Sequence, residues 1–275
     1  MTEIPTVTLN NGVAMPQLGF GVFQVPDAET AAAVTTALNA GYRSIDTAAG
    51  YRNEKGVGIA LAESGLKRDE LFITTKLQNS DQGYDSTLRA FDQSISSLGL
   101  DVVDLYLIHW PMPARDRYLD TWRAFERLYA DGRVRAIGVS NFQPAHLRRL
   151  IDNSEVVPAV NQIELHPFLV QEELRAVDAE LGIATEAWSP LAKGGELLGH
   201  STIAGIAERL GRTPAQVVLR WHLQLGNVVI PKSVTPARIA ENIAVFDFEL
   251  TAEDLASLTA LDKGLRTGPD PDQLN

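Results

Sequence analysis

The sequence predicts an α/β protein built as a (β/α)8 TIM barrel, and three observations carry that reading. Eight short apolar runs alternate with longer segments whose apolar residues recur every three or four positions. The alternation runs through the chain without a Pro/Gly/Ser linker or a break in composition, so one domain over residues 1–275 is expected. Polar residues with chemical potential close strand after strand, which is where barrel enzymes gather their sites. An open doubly wound sheet shares the first observation but not the other two.

The elements follow in order. Thr6–Leu9, Asn10-Asn11-Gly12 and Val13–Met15 read as a β-hairpin with an Asn-Gly turn, placed to plug the closed end of the barrel. The first barrel strand lies near Leu18–Gly21, and the first helix over Asp27–Ala40, stopped by Gly41. Ser44–Asp46 leads to a helix at Asn53–Ser64 with Gly65 after it, and Leu71–Lys76 leads to Tyr84–Leu98 with Gly99. Val103–His109 precedes Leu119–Ala130, whose stripe is Leu119, Trp122, Phe125 and Leu128, ending at Gly132. Ala136–Ser140 is followed by Pro144–Ile151, where Pro144 is a start signal, and Ala159–Glu164 by Gln171–Leu181, where Gly182 is a stop. Ala184–Trp188 is the seventh strand, Thr213-Pro214 opens another helix, and Asn227–Ile230 is the eighth strand. Thr251–Leu261 reads as an extra C-terminal helix and Arg266–Asn275 as an irregular tail rich in Pro and Asp. The strands are apolar on both parities, as parallel strands covered on both faces are.

Composition narrows the function classes. No apolar run approaches the roughly 20 residues that cross a bilayer. Met1-Thr2-Glu3-Ile4-Pro5 lacks a basic region followed by an apolar stretch, so no secretory leader is expected. The absence of cysteine excludes disulfides, thiolate metal sites and thiol catalysis, and it fits a reducing compartment, so a cytoplasmic location is expected. With 24 basic and 35 acidic residues the net charge is −11, which repels phosphate backbones and argues against nucleic acid as a partner. A site for an anionic cofactor would therefore need a local cluster of cations. No membrane partner is expected, and a monomer is.

The strand ends supply the chemistry. They carry Asp46 with Tyr51 in the next turn, Lys76, His109, Ser140-Asn141, Gln162, Trp188 and Lys232. In a closed barrel these ends face one way. A buried Asp and Lys at adjacent ends are costly unpaired, so they pair. Such a set suits carbonyl reduction. Hydride delivery to C=O leaves an alkoxide that must be protonated, so an acid close to the oxygen is needed. A free phenol is a weak acid, with a pKa of about 10. The Lys76 cation beside Tyr51 would favour the phenolate and improve the donor, Asp46 would hold Lys76 charged, and His109 would donate to the carbonyl oxygen. Singly, each has a plain alternative: a structural ion pair, a half-buried aromatic, a core histidine. Four at successive strand ends are less easily dismissed.

The run Gly41-Tyr42-Arg43-Ser44-Ile45-Asp46-Thr47-Ala48-Ala49-Gly50-Tyr51-Arg52-Asn53-Glu54 resembles the aldo-keto reductase signature around the catalytic Asp and Tyr. Further blocks follow in family order: Lys76 after Ile73-Thr74-Thr75, Leu105 through His109-Trp110-Pro111, Gly138-Val139-Ser140-Asn141-Phe142, Asn161-Gln162-Ile163-Glu164 and Ile230-Pro231-Lys232-Ser233. The resemblance covers roughly residues 5 to 265 and is nearest to the bacterial 2,5-diketo-D-gluconate reductase-like branch. It implies the family's barrel, nicotinamide chemistry, and Asp46, Tyr51, Lys76 and His109 as catalytic tetrad.

A Gly-x-Gly-x-x-Gly fingerprint is absent, so a Rossmann-type site is not supported. The resemblance implies NADPH held along the barrel mouth instead. Ser140, Asn141 and Gln162 would bind the nicotinamide carboxamide, with Gly21 and Val22 beside it, and Trp188 would stack on the ring. Ser189, Leu191, Lys193 and Gly194 belong to a loop expected to cross the pyrophosphate. Lys232, Ser233, Val234 and Arg238 form the local basic cluster that the net charge calls for, at a helix start suited to the 2′-phosphate. Glu241 and Asn242 would face the adenine. Val22, Tyr51, His109 and Trp110 would line the substrate mouth. The short segment after His109 and the short tail suggest an open mouth for small aldehydes, dicarbonyls or keto-sugars. Two rivals remain: a non-catalytic cofactor-binding relative, which has no need of an aligned proton donor, and a metal-dependent barrel hydrolase. The five histidines (His109, His146, His166, His200 and His222) form no close ligand pair, so no metal is expected.

Overall fold

Strand and helix patterns of the kind described above bury their apolar faces only by wrapping a sheet in helices, and the computed structural model shows that wrapping for residues 4–275. The first three residues of the expected leaderless start lie outside the described part. Strands β1 (Thr6–Thr8) and β2 (Ala14–Pro16) pair antiparallel, Val7 opposite Met15. Leu9 and Met15 from this hairpin pack with Phe72, Leu105, Leu107, Val160 and Val228 inside the barrel floor. Asn10 and Asn11 donate to the Pro158 and Arg135 carbonyls and pin the plug in place.

Eight parallel strands form the wall: β3 (Phe20–Gly21), β4 (Ser44–Asp46), β5 (Phe72–Leu77), β6 (Val103–Ile108), β7 (Val134–Ser140), β8 (Val160–Glu164), β9 (Ala184–Trp188) and β10 (Val228–Val229), each hydrogen-bonded to the next in that order. The ends of the sheet meet. Gly19 N donates to Val229 O at 2.9 Å, Val229 N to Gln17 O at 3.0 Å and Gly21 N to Pro231 O at 3.1 Å. Closure removes the sheet's two edges.

Helices α1 (Asp27–Ala40), α2 (Glu54–Glu63), α3 (Tyr84–Leu98), α4 (Tyr118–Ala130), α5 (Pro144–Ile151), α6 (Glu172–Glu180), α7 (Gly195–Leu198), α8 (Ser201–Leu210), α9 (Pro214–Gln224), α10 (Pro236–Ile243) and α11 (Ala252–Thr259) cover the outside. The expected stripe on α4 is buried at Trp122, Phe125 and Leu128, with Tyr118 and Ala124 beside it. Gly41 closes α1 at φ 110°, a left-handed turn that a side chain would oppose. Strand parity then divides the residues. Ile45, Ile73 and Leu77 point outward into the helix-facing core, whereas Asp46 and Lys76 point inward toward the mouth.

Candidate active site

Neighbouring strands β4 and β5 place Asp46 and Lys76 side by side. Lys76 Nζ donates to Asp46 Oδ1 at 2.6 Å, to the Thr47 carbonyl at 3.0 Å and to Tyr51 Oη at 3.3 Å. Tyr51 follows β4 by one turn, at the end of a short 3-10 helix over Ala49–Tyr51. Its ring stands 5.6 Å from His109, edge to face, with the Lys76 ammonium 4.9 Å from its centre. The four residues expected as a tetrad therefore converge.

Burial sets their protonation as much as charge does. It pulls the Lys76 ammonium down, but the Asp46 carboxylate, Tyr51 and Glu186 outweigh it, and Lys76 stays above its ordinary value. Burial likewise raises Tyr51, against the lowering by Lys76, and the net result lies above a free phenol. The expected favouring of the phenolate by Lys76 is present, but burial is the larger effect. His109 is pushed down to about 3 by burial and by the Lys76 cation, so it is a neutral imidazole at physiological pH.

The residues expected around a nicotinamide carboxamide also meet. Ser140 Oγ donates to Gln162 O, and Asn141 Nδ2 donates to both Ser140 Oγ and His109 O at 3.0 Å. Trp188 Nε1 donates to Asn141 Oδ1 at 2.8 Å. Both Asn141 donor hydrogens are thus spent within the protein, so its main service is to fix His109 and Trp188. Gln162 Nε2 bridges two carboxyls, Asp46 Oδ2 at 2.9 Å and Glu186 Oε2 at 2.8 Å, and its Oε1 takes no hydrogen bond among the described residues. That oxygen is the acceptor a carboxamide needs.

The cations expected near a 2′-phosphate lie open to solvent. Lys232 and Arg238 are exposed and form no ion pair among the described residues, and Ser233 Oγ caps the turn by accepting from Thr235 N. Val234 lies on the surface between them, and Asn242 is buried beneath. Glu241 is partly occupied, accepting from Thr213 Oγ1 at 2.7 Å. Across the mouth, Ser189, Ala192, Lys193 and Gly194 all have left-handed backbone, with Leu191 half-buried among them. Lys193 Nζ donates to the Thr267 carbonyl at 2.8 Å, so the loop is tied to the tail. Exposed cations on one side, an unspent amide oxygen at the centre and the loop carrying Lys193 fit an anionic dinucleotide.

One assignment is corrected. Val22 is fully buried in the outer core, because Gly19 and Gly21 occupy the inward parity of the first strand. Its side chain cannot touch substrate, although its backbone is at the rim, where its N–H meets Asp46 O. Phe23, one residue on, is the mouth residue. It is 50% exposed and its ring lies 5.0 Å from Tyr51. Trp110 completes the rim, 6.3 Å from Trp188.

How the tail is held was not foreseen from sequence. Glu164, at the end of β8, accepts from Thr267 N, Thr267 Oγ1 and Gly268 N, and from His166 Nε2 at 3.1 Å. Gly268 lies so close to the indole that a Cβ there would overlap Trp188 Cη2. At the far end Asn275 Oδ1 accepts from Ala114 N at 2.6 Å. The short tail therefore lies against Glu164, Trp188 and the Lys193 loop on one side of the mouth. Alternation on β9 could have flagged Glu186, two residues before Trp188 and on the same face; nothing local points to the Glu164–Thr267 contact.

Known proteins resemble this chain along nearly its whole length. The Aldo/keto reductase family pattern matches residues 15–263. A glyoxal reductase of Bacillus subtilis (strain 168) is 55% identical over 270 residues, covering 98% of this chain and 97% of its own. The methylglyoxal reductase DkgA of Salmonella typhimurium (strain LT2) is 53% identical over 274 residues, covering 99% of each. A crystal structure of a Gox0644 mutant in complex with NADPH superposes with a TM-score of 0.95 at 50% identity over all of both chains.

Proposed function

The chain belongs to the aldo/keto reductase family, and from that premise we propose that it reduces small dicarbonyls and keto-sugars with NADPH, using Tyr51 as general acid. The observation that supports this best is the Asp46–Lys76–Tyr51 chain of contacts at 2.6 and 3.3 Å beside a neutral His109. When bound, NADPH would supply a hydride for the carbonyl carbon. As that C–H bond forms, the C=O π pair moves onto the carbonyl oxygen, which takes the Tyr51 hydroxyl proton, and the phenolate left behind is stabilised by the Lys76 ammonium until solvent reprotonates it. Asp46 keeps Lys76 charged and aimed at Tyr51. His109, neutral, donates one N–H to the carbonyl oxygen and orients it.

Ser140, Gln162 and Trp188 would hold the nicotinamide end, with Asn141 fixing Trp188 and His109 in place; Lys232, Ser233 and Arg238 would hold the 2′-phosphate, and Lys193 and its loop would cover the pyrophosphate. Phe23, Trp110 and Trp188 bound a small aromatic-walled mouth, which suits compact substrates such as those named for the glyoxal and methylglyoxal reductases. The same reading takes residues 1–275 as one barrel domain acting as a monomer in the cytoplasm, with no nucleic-acid partner. No helix among the described residues is long and apolar enough to cross a membrane.

The test is NADPH consumption with methylglyoxal, run beside NADH and beside Tyr51→Phe. Turnover that favours NADPH and drops by about a hundredfold or more in the mutant is expected, that being the scale of a lost general acid. Tight NADPH binding without turnover in the wild type would instead favour a cofactor-binding relative that does no chemistry.

A further inference from the structure

Glu186 is wholly buried on β9, points into the barrel two residues before Trp188, and has no part in the steps above. Its Oε2 accepts from Gln162 Nε2, the amide that also donates to Asp46. Because the Asp46 carboxylate can only accept, the amide can face only one way, with its nitrogen between the two carboxyl groups and Oε1 turned away from them. The other Glu186 oxygen, Oε1, is buried and has no hydrogen-bond partner among the described residues. A carboxylate with a bare oxygen in a closed interior is strongly disfavoured, and a neutral acid avoids most of that cost. The charged and titratable groups that face it are Asp46 from β4, Lys76 from β5 and the Tyr51 phenol; β8 offers only the Gln162 amide, and β10 places Val228 opposite it.

We propose that Glu186 is a positioning residue for carbonyl reduction, a neutral carboxylic acid that fixes the Gln162 amide and keeps a second negative charge away from the Asp46–Lys76–Tyr51 chain. The inference rests on Tyr51 being the proton donor. Burial, then the nearby Asp46 charge, push Glu186 up to about 8. Below that value the acid is neutral. Above it the anion raises Tyr51 further, making the phenol a weaker donor, and reduction slows. A contact that served only to shape the barrel would leave no such step in the rate.

Two measurements decide the matter. The first is a 13C-carboxyl NMR titration of the intact protein, with Glu186→Gln identifying the resonance. Glu186 is expected to stay protonated at neutral pH and to titrate well above the ordinary carboxylate range, and titration within that range overturns the proposal. The second is kcat/KM for methylglyoxal from about pH 6.5 to about 9.5, each enzyme normalised to its own maximum. The wild type should lose about threefold or more through a step in this window, and Glu186→Gln should lack that step. Coincident profiles overturn the proposal. If Tyr51→Phe keeps its turnover, the acid assignment fails, and the carboxyl titration still reads Glu186 by itself. If Glu186→Gln does not fold, a wild-type spectrum without any carboxyl titrating in the alkaline range gives the negative answer.

Discussion

His109 and Tyr51 stand ring to ring at 5.6 Å, and burial moves them in opposite directions for one reason: it favours the uncharged form of each. The histidine is held down to about 3 and the phenol is raised, so both reach neutral pH as uncharged donors. It follows that His109 contributes no titration between about pH 5 and about 8, where an ordinary histidine changes charge. Imidazole NMR should show His109 neutral throughout that range, and a titration near 6.5 would contradict the neutral-donor role. The meeting of these four residues was legible in the sequence because Asp46, Lys76 and His109 end successive strands and Tyr51 lies one turn on. Phe23 was missed because Val22 was placed at the mouth by resemblance alone; counting inward positions from Gly19 and Gly21 leads to residue 23. The protonation states were not legible at all, since they depend on how tightly the mouth closes around the phenol.

At the scale of elements, short-range signals served well where a local turn sets the boundary and poorly where a partner far along the chain does. Asp27–Ala40, Tyr84–Leu98 and Pro144–Ile151 coincide with observed helices because Gly41 and Gly99 stop the first two and Pro144 starts the third. The last strand is shorter than expected, only Val228–Val229, since Pro231 has no N–H to continue the ladder. The tail was the least legible element. Its anchor is Glu164, 103 residues earlier than Thr267, and the contact exists only once β8 is in the wall. Gly268 tests that anchor. A methyl group at this position would run into the rigid indole, so either the tail or Trp188 must move. Gly268→Ala should weaken NADPH binding by about tenfold, an effect of roughly 1.4 kcal/mol, and quench or shift Trp188 fluorescence in parallel. Unchanged affinity together with an unchanged emission spectrum would show that the tail does not press on the cofactor-facing side chain.

Across the whole molecule, buried ionisable groups of two kinds set how stability depends on pH. Asp178 on α6 accepts from Asn161 Nδ2 on β8 and Thr185 Oγ1 on β9 at 3.1 and 2.9 Å, and burial pushes it up to about 7 against those hydrogen bonds. Glu186 reaches about 8. Both bind a proton more tightly folded than unfolded, so their contribution is complete below the ordinary carboxylate range and disappears as pH rises through the folded values. His109 and His222 act the other way: both lie near 3 when folded, so stability gained from them grows up to the ordinary histidine value and then levels off. The two trends oppose each other in mildly acidic solution. Above about pH 6.5 the acids dominate, as the histidine contribution levels off. Stability should therefore fall between about pH 6.5 and about 8, by about 2 kcal/mol from the two acids together, or roughly 3 °C in Tm. Asp178→Asn keeps the hydrogen-bonding shape and removes one titration, so its Tm should decline less over this interval, and adding Glu186→Gln should flatten most of the remainder. A wild-type Tm that is level from about pH 6.5 to about 8 would mean that neither carboxyl is neutral in the fold, and the charge balance inferred for the tetrad would then have to be drawn with Glu186 ionised.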